Sequence, residues 1–365
     1  MNKYSIQSNF KNGILVSVSL LIALLLVSSC AKRTDFIGSE LVTMPEGFFV
    51  ADNSFSASPD RVNFERDKAK FSAEFSHRVT WRIKLQGLTS GANKVIKGTS
   101  DKLDPDSIQW NGSHDGLYFF MRDEKVLAEL TFMGGNLTLI DTIDVLRAKL
   151  YGNQGFSVSN DSRPTTFEGF EGASFNISGL FWLDPYFDGR REMAERDPML
   201  NDKDKPVQGE YAFTLSGTDI TNSYFVGGFK RNITAMERNA IKWPEDPDSV
   251  YINIYLYGRG DGVTKLNFSM EEADDGGPSH REDRHDAFEF QFNFEHTGWK
   301  LFSVRYSDLT RAANPDYGGS GNNVKEPNKV RSIAFNAISS PPNNYVKATF
   351  DFPIITFGKP FNPRE

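Results

Sequence analysis

Val250-Tyr251-Ile252-Asn253-Ile254-Tyr255-Leu256-Tyr257 decides the fold. Ile252, Ile254 and Leu256 take every second position, with Tyr251, Asn253, Tyr255 and Tyr257 between them. A period of two belongs to an extended strand with one dry and one polar face. Thr264 to Met270 repeats the pattern, with Leu266, Phe268 and Met270 set against Lys265, Asn267 and Ser269. Phe288 to Glu295 sets four phenylalanines against Glu289, Gln291, Asn293 and Glu295. Tyr211 to Leu215, Ser332 to Ile338 and Tyr345 to Phe352 read the same way. No amphipathic helix of more than three turns emerges, so this half of the chain is expected to be all-β, with two sheets packed face to face.

Upstream, Phe71, Ala73 and Phe75, then Val79, Trp81, Ile83 and Leu85, alternate with polar neighbours. Leu117 to Met121, Val126 to Phe132 and Leu137 to Ile140 read as further strands between glycine-bearing turns. Several short strands in about 100 residues predict an immunoglobulin-like β-sandwich over 48–150, with Trp81 in its core. Gly152, Gly155, three serines and Pro164 mark a linker over 151–164, and a jelly roll is expected over 165–365. Within it, Asp184 to Pro206 is charged and broken by three prolines, which predicts a long loop.

The chain has 31 phenylalanines, one cysteine, five histidines and a formal charge of −7. Phenylalanine at that density is core material. The negative charge argues against a nucleic-acid partner and, local patches aside, against anionic substrates. From Gly13 to Ser29 there is no Lys or Arg, and Lys3 and Lys11 precede the apolar run, the layout of a secretory signal over 1–29. Its exit, Val27-Ser28-Ser29-Cys30, resembles a bacterial lipobox, whose cysteine is lipidated and becomes the mature N-terminus. The expectation is therefore an envelope protein lipid-anchored at Cys30, with residues 30–47 as a tether. A lone cysteine supports neither a disulfide framework nor a thiolate metal site.

The polar strand faces bear on function. Tyr255 and Tyr257 lie on one side of their strand, about 7 Å apart. Pyranose C–H faces stack on aromatic rings, and sugar hydroxyls need amide and carboxylate partners. Asn253, Asn267, Glu289, Gln291 and Asn293 would supply those partners if their strands are neighbours, and Arg259 sits at the end of the tyrosine face. A simply polar sheet face with β-favouring tyrosines is the competing reading.

The last two hundred residues resemble the galactose-binding-like jelly-roll modules of carbohydrate-binding proteins. The likeness is carried by Thr166-Phe167-Glu168-Gly169, the run from Tyr251 to Tyr257, Gly298-Trp299-Lys300-Leu301-Phe302, Tyr306-Ser307-Asp308-Leu309 and the closing Ala348 to Ile354. With the lipobox and a spacer sandwich, the layout resembles the surface glycan-binding lipoproteins of bacterial polysaccharide-uptake systems. The resemblance implies a non-catalytic protein at the cell surface of the outer membrane, with a polysaccharide or oligosaccharide ligand and an uptake complex as partner. It also implies a structural calcium between first and last strands, at Glu168, Glu171 and Asp351; three separate surface carboxylates are the alternative.

Enzymatic signatures are weak. A glycosidase needs two carboxylates about 5 to 9.5 Å apart, whereas Glu289 and Glu295 on one strand face are separated by roughly 20 Å. Glu271-Glu272-Ala273-Asp274-Asp275 runs into Gly276-Gly277-Pro278 and reads as an exposed acidic loop. His280 to Asp286 reads as a solvated hairpin tip, and Gly258-Arg259-Gly260-Asp261-Gly262 as a tight turn. Two further readings remain open: an adhesive envelope lipoprotein that binds another protein, and a β-sandwich polysaccharide-degrading enzyme.

Overall fold

The computed structural model describes residues 43–365 except 52–53, 153, 159–169, 171–189, 198–204, 219–224, 274–284, 313–320 and 342–343. The signal segment, Cys30, Glu168, Glu171 and the Thr166–Gly169 motif lie outside the described residues.

Seven strands build the N-terminal part: β1 (Ser56–Ser58), β2 (Arg61–Asn63), β3 (Ala69–Gly87), β4 (Asn93–Leu103), β5 (Gln109–Trp110), β6 (Glu124–Phe132) and β7 (Thr138–Arg147). The backbone order is β1-β3-β6-β7-β2, with β4 and β5 also pairing to the long β3. All pairs are antiparallel except β2 with β7. Trp81 is 2% exposed among Phe71, Ile83, Leu130 and their neighbours, and its Nε1 donates to Ser100 Oγ at 2.8 Å. Gly98 of β4 makes this packing possible, because a Cβ there would stand 2.5 Å from the indole.

Among the described residues eleven strands follow: β8 (Gly155–Ser157), β9 (Arg190–Asp197), β10 (Ala212–Thr218), β11 (Phe225–Asn232), β12 (Val250–Arg259), β13 (Thr264–Ala273), β14 (His285–Asn293), β15 (Thr297–Arg305), β16 (Thr310–Arg311), β17 (Val330–Ser339) and β18 (Tyr345–Phe357). They form a six-stranded sheet, β15-β12-β18-β10-β9 with β8 on β18, and a five-stranded sheet, β11-β17-β13-β14-β16. Ile252, Ile254 and Leu256 of the first sheet and Leu266, Phe268, Met270 and Phe335 of the second share one buried core. The chain is thus an all-β protein of sandwiched sheets. A short helix, α1 (Ala235–Ile241), carries a capping box from Thr234 and Glu237.

Five sequence expectations need correction. Leu117 to Met121 is not a strand. The charged stretch Asp184 to Pro206 contains β9, which pairs with β10 along its length. The linker stretch contributes β8, paired with β18. The acidic run is no exposed loop at its start: β13 continues through Ala273, and Glu271 and Glu272 are 7% and 3% exposed. Asp286 likewise lies buried within β14 rather than at a solvated tip. The Arg-Gly-Asp triplet does form a turn, with Gly260 and Gly262 at positive φ and Asp261 accepting from the Val263 and Thr264 amides.

Candidate functional site

The predicted sugar-binding residues divide between two sheets that face opposite ways. β12 carries Asn253, Tyr255, Tyr257 and Arg259 on the outer side of the six-stranded sheet; β13 and β14 carry Asn267, Glu289, Gln291 and Asn293 on the outer side of the other.

The tyrosine side is covered. Tyr255 is 3% exposed in a cluster with Phe119, Tyr151, Val207, Phe352 and Phe361. Burial, then the charge of Asp351 opposite it, hold its hydroxyl well above the ordinary phenol range. Asn253 is fully buried: its Nδ2 donates to Ile354 O and Thr356 Oγ1, and its Oδ1 accepts from Ser303 Oγ and the Phe361 amide. The amide thus fastens the C-terminal tail to the sheet. These two residues are not ligand contacts. Alternation distinguishes two faces, and it does not reveal that a second apolar layer covers the polar one; a tyrosine ring serves a joint as well as a sugar.

Tyr257 is half-buried, edge-on to Trp299 with ring centroids 5.4 Å apart, and the Arg259 guanidinium lies 5.0 Å from its centroid. Arg259 also donates to Lys347 O and Thr349 Oγ1, tying the end of β12 to β18. Asp351 is no surface carboxylate: it is fully buried and accepts from the Gln208 amide at 2.8 Å. Among the described residues no group of three His, Cys, Asp or Glu is placed to hold a metal ion.

The other predicted residues come together. Asn267 stands opposite Gln291 on one neighbour and opposite Asn336 on the other, giving a row of three amides across β17, β13 and β14. At about 4.8 Å between strands the row spans about 10 Å. Gly228 follows Asn336 on β11 and adds no side chain. In the next rows Glu289 lies opposite Ser269, and Asn293 opposite Lys265. Asn267 Nδ2 donates to Glu289 Oε2 at 2.9 Å, which orients both. Asn336, which sequence reading missed, has an Oδ1 without a hydrogen-bond partner. It lies in β17, where Ala334 and Ile338 flank it on the outer side as apolar residues, so alternation gave only a weak polar face to notice. Further along, Lys230 Nζ donates to both Glu271 oxygens at 2.8 Å, and Ser332 Oγ donates to the same carboxylate.

The amide row runs into a hollow of about 580 Å³ at the seam of the sandwich, where β14 passes β15. Half-exposed Phe290 and Phe302 line it together with Gln291, Asn293 and Lys300. Lys300 Nζ lies 5.1 Å from the Phe302 centroid. Aromatic surface and amide donors occur together here. That volume lies within the usual range of small-ligand sites, roughly 300 to 1,000 Å³.

A buried acidic pair lies at the far end of the same sheet. Glu272 and Asp286 are cross-strand neighbours, 3% and 2% exposed. Burial raises the Glu272 carboxyl to about 7, against hydrogen bonds from Tyr306 and the Glu326 amide and with help from the Glu326 and Asp286 charges.

No family model matches the chain, and no curated protein is similar to it. Several solved structures are. The family 11 carbohydrate-binding module of Clostridium thermocellum, in complex with a β-1,3-1,4-mixed-linked tetrasaccharide, is 13% identical; the match covers 52% of this chain and 95% of that one, with a TM-score of 0.34. A family 30 carbohydrate-binding module is 11% identical over 50% of this chain and 89% of that one, TM-score 0.30. SGBP-B from a complex xyloglucan utilization locus in Bacteroides uniformis is 11% identical over 83% of this chain and 72% of that one, TM-score 0.30. At such identities and scores the likeness transfers no ligand and no residue role.

Proposed function

We propose that the protein binds glycan chains without cleaving them, through the outer face of the five-stranded sheet and the adjoining seam. The observation that carries this is the row Asn336–Asn267–Gln291 leading into a hollow lined by Phe290 and Phe302. Amides on adjacent strands offer donors and acceptors at fixed spacing, the requirement for holding sugar hydroxyls, and the phenylalanine edges offer apolar surface for C–H faces. The carboxylates of this face support binding rather than hydrolysis: Glu289 is held by Asn267, and Glu271 is paired with Lys230. The reading rests on the sheet face, not on the weak structural likenesses.

In the same proposal the protein is lipid-anchored through Cys30 in a Gram-negative outer membrane, facing outward, and delivers polysaccharide to an uptake complex. The Val27–Cys30 sequence supports the anchor, and membrane display would raise the effective concentration of a weak site. The test is a glycan array followed by calorimetric titration of the best oligosaccharide. Asn336→Ala and Gln291→Ala are expected to weaken its binding roughly tenfold each, the scale of one or two lost hydrogen bonds. A blank array, or full affinity in both variants, would overturn the assignment.

A further inference from the structure

A second hollow, of about 490 Å³, lies on the N-terminal part, far from the amide row in sequence and on different strands. Lys68, Lys94, Lys97 and Arg364 line it, with Gln109, Asn111 and Ser113 between them. This is a local reversal in a chain of formal charge −7. Lys94 Nζ donates to Asp115 Oδ1 at 3.0 Å, and Arg364 Nε lies 4.0 Å from the same oxygen. Asn111 Nδ2 donates to the main-chain oxygen of Glu365. Asp115 is thus the carboxylate that partners Lys94 and Arg364. Lys68 and Lys97 are exposed and enter no ion pair among the described residues. Half-buried Lys149 is near enough to feel both Lys68 and Lys94; burial first, then those two charges, lower its affinity for a proton.

We propose that this hollow binds an oxyanion, a phosphate or sulfate group carried free or as an ester on a larger molecule. Concentrated like charges with amide and hydroxyl donors between them are stabilised when a multiply charged anion enters, because charge-assisted hydrogen bonds replace mutual repulsion. The hollow has a structural consequence as well. Lys68, Lys94 and Lys97 belong to the N-terminal strands and their approaches, whereas Arg364 comes from the tail that Asn253 fastens to the six-stranded sheet. An anion bridging them would lock the two parts together. The inference is independent of the glycan site, since neither hollow shares a residue with the other.

The experiment is thermal unfolding of the full chain titrated with sodium sulfate, sodium phosphate and a sulfated oligosaccharide, at ionic strength held constant with chloride. Binding to the folded state alone raises Tm saturably. The expected result is such a rise with sulfate or phosphate, and saturation at lower concentration with the sulfated oligosaccharide if the natural source is an ester. Lys68→Ala/Lys97→Ala should keep the anion-free Tm and shift the half-saturating concentration upward by roughly tenfold, as loss of two charge-assisted contacts predicts. Arg78→Ala/Lys102→Ala removes equal charge from exposed sites elsewhere and should leave the titration unchanged. No rise beyond the chloride control, or equal weakening in both double variants, would overturn the proposal.

Discussion

On the six-stranded sheet, Asn253 and Tyr255 of β12 end up buried beneath a cover that includes Phe119, Tyr151 and Phe361; on the five-stranded sheet, Asn267, Glu289, Gln291 and Asn293 remain half-buried or exposed. The two faces are written in similar residues: Asn and Tyr on one, Asn, Gln and Glu on the other. What separates them is the neighbour each receives. The N-terminal part and the C-terminal tail close over the tyrosines, turning a polar-looking face into a joint with its own small aromatic core. The amide face keeps a hollow beside it. A strand pattern therefore identifies which side packs against the partner sheet, while availability of the other side is decided by segments far away in the chain.

The largest expected effect breaks the joint. Tyr255→Ala removes a ring sealed among four other aromatics, and large aromatic truncations in cores cost about 3 to 5 kcal/mol. Chemical denaturation should show that loss, while the folded fraction binds oligosaccharide normally. A Tyr255→Ala protein of native stability and lost affinity would reverse the roles of the two faces.

The two regions should also answer pH in opposite directions. His114 lies at the joint, fully buried against Phe119, with Nδ1 donating to Gly116 O. Burial lowers its pKa to about 4, although the Gly116 hydrogen bond opposes this. Its neutral form is the folded one, so its contribution is present above about 6.5 and falls away as pH drops toward 4. Glu272 works the other way. Its folded pKa is raised from 4.5 to about 7, so its contribution is full below 4.5 and lost as pH rises through 7. Each amounts to something on the order of 3 kcal/mol at the unfavourable extreme. Glu272→Gln should remove the loss of stability on going from pH 4.5 to 7 and leave the opposing His114 slope, so that the variant's urea midpoint rises more steeply with pH than the parent's over that window. An unchanged slope in that variant would mean another group carries it.

The smallest effect on stability belongs to the proposed binding face. Asn336→Ala should cost no more than about 1 kcal/mol of stability, because its Oδ1 makes no hydrogen bond within the protein to lose, while losing affinity. A large loss of stability would make Asn336 a structural residue instead.

Much of the fold was legible because its strands keep one apolar side: β3, β12, β13 and β14 follow their alternation closely, and Trp81 is core as its neighbours Ile83 and Leu85 imply. What escaped was everything set by a second contact. Leu117 to Met121 alternates like a strand, yet Leu117 and Phe119 are spent on the joint, and the Phe119 amide bonds Val207 O. The Arg190 to Asp197 stretch has too little apolar alternation to read as a strand, and it is held by backbone pairing to β10. Glu271 and Glu272 look solvated by composition; Lys230, Ser332 and Tyr306 make their burial possible. Half of the predicted ligand set was grouped correctly, since Asn267, Glu289, Gln291 and Asn293 share a face. Its grouping with the tyrosines failed because sheet membership depends on pairing across the sandwich.

The most direct measurement maps backbone amide shifts by nuclear magnetic resonance during titration with the oligosaccharide selected on the array. The account predicts perturbations along 265–269, 289–293 and 334–338, with the signals of 251–256 and of Phe119 unmoved. Perturbations concentrated at Tyr257, Arg259 and Trp299, with the amide row silent, would contradict it.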